Sequence, residues 1–158
     1  MNLPGRPSAF VRALFRVPVL VYRSGFAGFE RLVGLRFVLL TATGRRSGLP
    51  RSVMLDLIGQ DGDRYFVDSG WGERAAWVRN VRANPGVRVQ VGRERFDATA
   101  LEVAPREGAR RMLDFIRAHP IYTGAIVRSL GGQVDTRDEA GLLRRLEADC
   151  LVFELKRA

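Results

Sequence analysis

The chain has one cysteine, Cys150, one histidine, His119, and one lysine, Lys156. A lone cysteine rules out an internal disulfide, and with a single histidine beside it no Cys/His metal cluster can be assembled. Acid-base and triad chemistry have little to draw on. No G-x-S-x-G elbow is present, and His119 stands before Pro120 at an expected helix end, where capping or packing is its reading. The chain also has no Walker motif and no G-x-G-x-x-G between a strand and a helix, which removes nucleoside triphosphate hydrolysis and a Rossmann nicotinamide site. No uninterrupted apolar run approaches the roughly 20 residues that cross a bilayer. The N-terminal apolar stretch is cut by Pro18 and has no small-residue cleavage site, so no signal peptide and a cytoplasmic location are expected.

What is present is an ordinary globular composition with an unusual cation. Hydrophobic residues make up 46% and charged residues 27% of 158, which suits one domain over residues 1–158. Lys156 is the only lysine among 26 basic residues, and the net charge is +9. Arginine presents a planar fork to phosphate and carboxylate, so the surplus favours an anionic ligand, a nucleic acid or an acidic lipid surface.

Periodicity divides the chain. Phe10, Leu14, Val17 and Val21 repeat at helical spacing, with arginines mostly off that face, and predict an amphipathic helix bent at Pro18. Such a helix lies on the core or, through residues 8–22, on an anionic membrane surface. From residue 36 the pattern is β: LRFVLLTAT, SVMLDLIGQ and RYFVDSG, then GVRVQVG and RERFDATALEV, with turns at Asp61-Gly62 and Gly92-Arg93. AAWVRNVRANP between the two hairpins reads as a helix stopped by Asn84-Pro85. A helix is expected after Pro105, ending before His119-Pro120, with two more helical turns or helices over 120–130 and 138–147, and DCLVFEL, with Cys150 buried, as a sixth strand. Hairpins followed by helices, without βαβ alternation, predict an α+β domain whose sheet curls into a small barrel.

One stretch carries chemistry. In TATGRRSGLPRS, at the end of the first strand, Gly44 and Gly48 are expected to take positive φ and aim backbone N–H groups at one point. Arg45, Arg46 and Arg51 add bidentate forks and Ser47 a hydroxyl. The arrangement is a phosphate cradle or a solvated hairpin. With so few catalytic side chains, an enzymatic role implies a bound cofactor.

LLTATGRRSGLPRSVMLDLI followed by YFVDSGWGERAAWVRNVRANPGVRVQVG resembles the deazaflavin-dependent nitroreductase family. The likeness runs over about residues 35 to 120 and rests on two ordered motifs, G-R-R-S-G-x-P-R and W-x-x-N-x-x-A-N-P. It implies a split β-barrel of about six mainly antiparallel strands with helices from both ends of the chain packed around it. It also implies the deazaflavin coenzyme F420 as cofactor, with FMN as the less favoured alternative, and hydride transfer to a quinone, a nitro compound or an unsaturated carbonyl compound.

By the same resemblance Arg45, Arg46, Ser47 and Arg51 contact the cofactor's phosphate and acidic tail, and Val53, Met54 and Leu55 line its flat ring. Ser69, Gly70, Trp71 and Gly72 form the loop after the third strand, and Ala76, Trp77 and Asn80 stand on the following helix, whose N-terminus favours an anionic oxygen. Trp77, on the apolar face, also reads as a core anchor and Asn80 as a brace for the adjacent turn. Tyr122 and Ser69 are the candidate proton donors. The compact SGWGERAAW lacks the lysine of a longer loop common in relatives, and Tyr122 alone represents their C-terminal tyrosines. A homodimer is implied.

Two other classes stay open. A non-catalytic carrier of the deazaflavin, a flavin, haem or lipid would use the same barrel. A nucleic-acid-binding module is argued by charge alone, without a binding motif or an aromatic stacking stripe.

Overall fold

The computed structural model describes residues 34–129 and 138–158, and the helix expected between Phe10 and Val21 lies outside them. The strands are β1 (Phe37–Thr43), β2 (Pro50–Asp61), β3 (Arg64–Ser69), β4 (Gly86–Val91), β5 (Glu94–Glu102) and β6 (Leu151–Arg157). A 3-10 turn (Gly72–Arg74) and α1 (Ala76–Ala83) separate β3 from β4; α2 (Pro105–Ala118), α3 (Pro120–Ser129) and α4 (Glu139–Asp149) separate β5 from β6. The strands close in the order β1-β2-β3-β6-β5-β4, every neighbour antiparallel. The α+β barrel expected from the pattern of hairpins is the fold observed.

Strand alternation sorts the apolar residues into two layers. Val38, Leu40, Val89, Phe153 and Leu155 point into the barrel; Phe37, Leu39, Phe66 and Val152 point outward beneath Phe115 of α2. A third cluster joins α2 to α4 through Ala109, Leu113, Ile116 and Leu146. Burying each such large side chain is worth about 1.5–3 kcal/mol, so both faces of the sheet must be covered.

α1 closes one end of the barrel. Trp77, Val78 and Val81 fall at helical spacing and enter the interior cluster, with the Trp77 ring edge-on to Phe153 at 5.1 Å. Pro105 opens α2, and His119 caps its other end, its N–H bonded to the Phe115 carbonyl at 3.0 Å. Among the described residues no helix is long and apolar enough to cross a membrane.

The barrel is not evenly sealed. β2 pairs with β1 from Pro50 to Asp56, but with β3 only from Leu57 to Asp61, with a register irregularity between Leu57 and Gly59. Before Leu57, β2 keeps its pairing with β1 and has none with β3, which leaves a fork between β2 and β3.

Candidate functional site

The β1–β2 turn, the loop after β3 and α1 gather at the same end of the barrel. The turn is closed by the Gly44 N–H on the Leu49 carbonyl at 2.9 Å and by the Gly48 N–H on the Gly44 carbonyl at 2.8 Å. Only Gly48 of the pair has positive φ, at 66°. Gly44 is required for a different reason than expected: a Cβ there would stand 2.9 Å from Ser47 Oγ and 3.0 Å from the Leu49 carbonyl. The turn needs a bare backbone at one glycine and a left-handed one at the other.

Asn80 ties this turn to α1. Buried to 6% exposure, its Oδ1 accepts from the Arg45 backbone N–H at 3.2 Å and from Arg45 Nη1 at 3.4 Å. Arg45, Arg46, Ser47 and Arg51 are all exposed. Elsewhere some arginines, Arg64, Arg82, Arg88, Arg111, Arg117 and Arg157, pair with a carboxylate, while others, Arg106 and Arg110 among them, form no ion pair among the described residues. Among the described residues no carboxylate pairs with Arg45, Arg46 or Arg51. Three exposed arginines on one braced turn concentrate positive charge at this end of the barrel.

The loop after β3 is built tightly. Ser69 is buried, and its hydroxyl donates to the Gly72 carbonyl at 2.9 Å. Trp71 is partly exposed and precedes the 3-10 turn. Ala75 offers no capping side chain to α1, where Ala76 is exposed. Trp77 lies in the barrel core, which is the core reading of that residue.

Val53, Met54 and Leu55 do not present their side chains to one surface. Val53 and Leu55 pack on the interior cluster and Met54 on the outer one, because successive residues of a strand alternate. Leu57 donates its N–H to Arg36 next to β1, so by the same alternation Met54 directs its backbone groups to the edge that β3 leaves uncovered.

On the outer face, Tyr122 of α3 stands over β2. Its hydroxyl donates to both oxygens of Asp56, at 2.9 and 3.0 Å, and its ring is edge-on to Phe115 at 6.4 Å. Burial raises the Asp56 carboxyl above its ordinary range, although the Tyr122 hydrogen bond and the charge of His119 pull it down. Burial, with the Asp56 charge, pushes the Tyr122 phenol far up, so it stays protonated. Asp68 on β3 is pushed up to about 7 by burial first and by Asp56 second. Cys150, partly rather than fully buried, has its thiol pushed up to about 12 by burial and by Asp68, and is inert as a nucleophile.

Asp56 and Asp68 were not among the residues singled out from the sequence. The available signal was a single carboxylate inside each of two apolar strands, SVMLDLI and YFVDS, where a charge is costly unless partnered.

From Arg51 to Asp56 is five strand residues, about 17 Å. This stretch is cationic at the turn and carries a carboxylate, Asp56, at its far end.

Comparison with known proteins identifies the family. A curated F420H(2)-dependent quinone reductase from Mycobacterium tuberculosis is 36% identical over 73 residues, 44% of this chain and 48% of that protein. The chain thus spans about half the length of the curated relatives it matches. The solved F420-H2 dependent reductase FDR-A has a TM-score of 0.53 at 27% identity over 76% of this chain and 93% of its own. A structure described as a domain-swapped dimer has a TM-score of 0.52 at 26% identity over 76% and 79%. The model of the F420H(2)-dependent quinone reductase family matches residues 14–130. Because that match takes in well over half of the chain, the chain belongs to the F420H(2)-dependent quinone reductase family.

Proposed function

We propose that this protein is an oxidoreductase that binds coenzyme F420 and passes hydride from it to a small organic acceptor of the quinone class, with enones and nitro compounds as further candidates. The observation that carries this reading is the braced turn that gathers Arg45, Arg46 and Arg51, exposed and without a carboxylate partner among the described residues. An acidic tail bearing phosphate and carboxylates is the ligand such a turn rewards.

When bound, the deazaflavin supplies two electrons as a hydride. The chain's own residues do the rest. Arg45, Arg46, Ser47 and Arg51 hold the tail, with the unpaired N–H groups at the start of α1, near Ala76, adding to the positive field. Met54, through side chain and backbone, and the loop of Ser69, Gly70, Trp71 and Gly72 border the ring. Val53, Leu55 and Trp77 support that border from within the barrel. Tyr122 supplies the proton the acceptor needs; Ser69, whose hydroxyl is committed to Gly72, is the weaker candidate.

The protein works as a homodimer in the cytoplasm on this reading, in line with a fold relative described as a domain-swapped dimer. An amphipathic helix over 8–22 would bring lipophilic acceptors close by resting on a membrane surface. Vesicle flotation with and without residues 1–33 tests that contact.

The deciding experiment is a fluorescence titration with oxidised F420 and FMN, followed by an acceptor screen with the reduced deazaflavin. Saturable binding of F420 in preference to FMN, weakened at least tenfold in an Arg45→Ala/Arg46→Ala variant, supports the assignment. An unchanged affinity in that variant removes the cradle. Binding without turnover over quinones, enones and nitroaromatics establishes the carrier reading, and a salt-sensitive shift with RNA or DNA without F420 binding establishes the nucleic-acid reading.

A further inference from the structure

The outer face of β2 continues past Met54. Strand alternation puts Met54, Asp56 and Ile58 on that face at intervals of about 7 Å, and Met54 and Ile58 both belong to the outer apolar cluster. Asp56, the charged position between them, is covered, because the Tyr122 hydroxyl donates to both its oxygens.

Beyond Asp56 lies a surface cavity of about 320 Å³, at the lower end of the range for small-molecule sites. Ile58, Phe115 and Ala118 give it an apolar lining. The charged and amide groups of its wall are exposed and already engaged: Arg36 donates to Gln60 at 2.9 Å, and Asp114 pairs with Arg117 at 3.8 Å. Two wall residues join the cavity to the site. The Phe115 ring is edge-on to Tyr122 at 6.4 Å, and His119, its ring 4.9 Å from Phe115, is near enough to Asp56 for its charge to act there. Apolar surface runs on past the cavity at the corner between α2 and α3, where Pro120 is exposed and Ile121 is 85% exposed. A ligand that fills this cavity gains from burying apolar area and finds no free charge to pair with.

Resting on the reductase reading above, we propose that the cavity is a subsite for the aliphatic side chain of the acceptor. A quinone whose ring lies against Met54 extends its chain past Tyr122 and lays it on Ile58, Phe115 and Ala118. None of the arginines of the β1–β2 turn lines the cavity, so the subsite selects among acceptors and leaves cofactor binding alone. An acceptor with an apolar chain is preferred to the same ring without one.

The test compares menadione with the same naphthoquinone bearing a geranyl chain, each with reduced F420. The wild-type KM is expected to be about tenfold lower for the geranyl compound, the effect of a few buried methylene groups, with kcat little changed. Ala118→Trp fills the cavity from an exposed position of α2. It is expected to abolish that advantage while leaving menadione kinetics and F420 affinity within about twofold, the pattern of a lost binding contact. In protein without cofactor, labelled at isoleucine and alanine methyl groups, the geranyl compound is expected to shift the Ile58 and Ala118 resonances and menadione to leave them in place. Protein that neither binds F420 nor reduces menadione overturns the reductase reading and the proposal with it. Turnover of menadione with no gain from the chain, or a gain that Ala118→Trp leaves intact, overturns the proposal alone. Should Ala118→Trp not fold, the methyl shifts decide: Ile58 and Ala118 unmoved by the geranyl compound overturn it.

Discussion

Asn80 Oδ1 accepts both the backbone N–H and the guanidinium Nη1 of Arg45, across 35 positions of sequence. One buried amide thus fixes the path of the β1–β2 turn and the direction of its first arginine, and it does so from the helix that plugs the barrel. The anion site and the core are mechanically joined.

Removing that joint should show in two separate readouts. Asn80→Ala is expected to cost about 1–2 kcal/mol in denaturant unfolding, since it strips two hydrogen bonds from the turn, and to weaken F420 binding about tenfold. Asn80→Asp keeps an acceptor for Arg45 but places a negative charge beside the anion site. Stability should remain near wild type and F420 affinity should still fall, a split that a purely structural Asn80 would not produce.

The two glycines of the turn should respond unequally. Gly48→Ala meets no atom within 4 Å but must adopt a φ of +66°, a strain of about 1–2 kcal/mol. Gly44→Ala drives a methyl against Ser47 Oγ at 2.9 Å and the Leu49 carbonyl at 3.0 Å, so the turn itself must open. Melting temperature and F420 titration are expected to rank Gly44→Ala as the more damaging in both. The opposite order would mean the turn yields easily.

Stability should fall as pH rises through the neutral range. Asp68 holds its proton in the folded chain up to about 7, against an ordinary value of 3.8 in the unfolded one. Between those limits the native state binds more protons, so its stabilising contribution is complete below about pH 4 and is lost on passing pH 7. Asp56, also raised, acts in the same direction. Melting curves of the wild type between pH 5 and 8 are expected to decline by several degrees, roughly as this linkage implies, and Asp68→Asn should flatten the slope. A wild-type curve that rises over this range would contradict the raised Asp68 carboxyl.

The two tryptophans should separate core from site. Trp77→Ala empties a buried volume against Phe153 and is expected to cost about 3–5 kcal/mol. Trp71→Ala, at a partly exposed loop position, should cost well under that while removing most of the fluorescence response to F420. Equal losses of stability would place Trp71 in the core as well.

Much of the architecture was legible in the order of residues. Strict alternation in VRVQV and RFDATALEV, turns at Asp61-Gly62 and Gly92-Arg93, and the stop at Asn84-Pro85 specify elements whose causes are local: side-chain period, turn chemistry and the missing proline N–H. The arginine turn was legible for the same reason, because its seven residues from Arg45 to Arg51 are contiguous. The family followed from two such contiguous motifs.

The parts that escaped that reading are the ones made by distant residues. Alternation predicts that Val53 and Leu55 share a face, but only closure of the barrel decides that this face is the interior, leaving Met54 outside. Gly44 looked like a positive-φ glycine, yet the approach of Ser47 and the Leu49 carbonyl is what requires it. Asp56, Asp68 and Tyr122 are ordinary residues on three separate segments. Strand register and the docking of α3 put the Tyr122 hydroxyl on Asp56, and desolvation raises both carboxyls. The sequence by itself determined the strands, the turns and a dense local charge, because those arise from neighbours along the chain; the tertiary structure decided which side chains fill the barrel and which partners Asn80 and Tyr122 find, because those depend on neighbours across it.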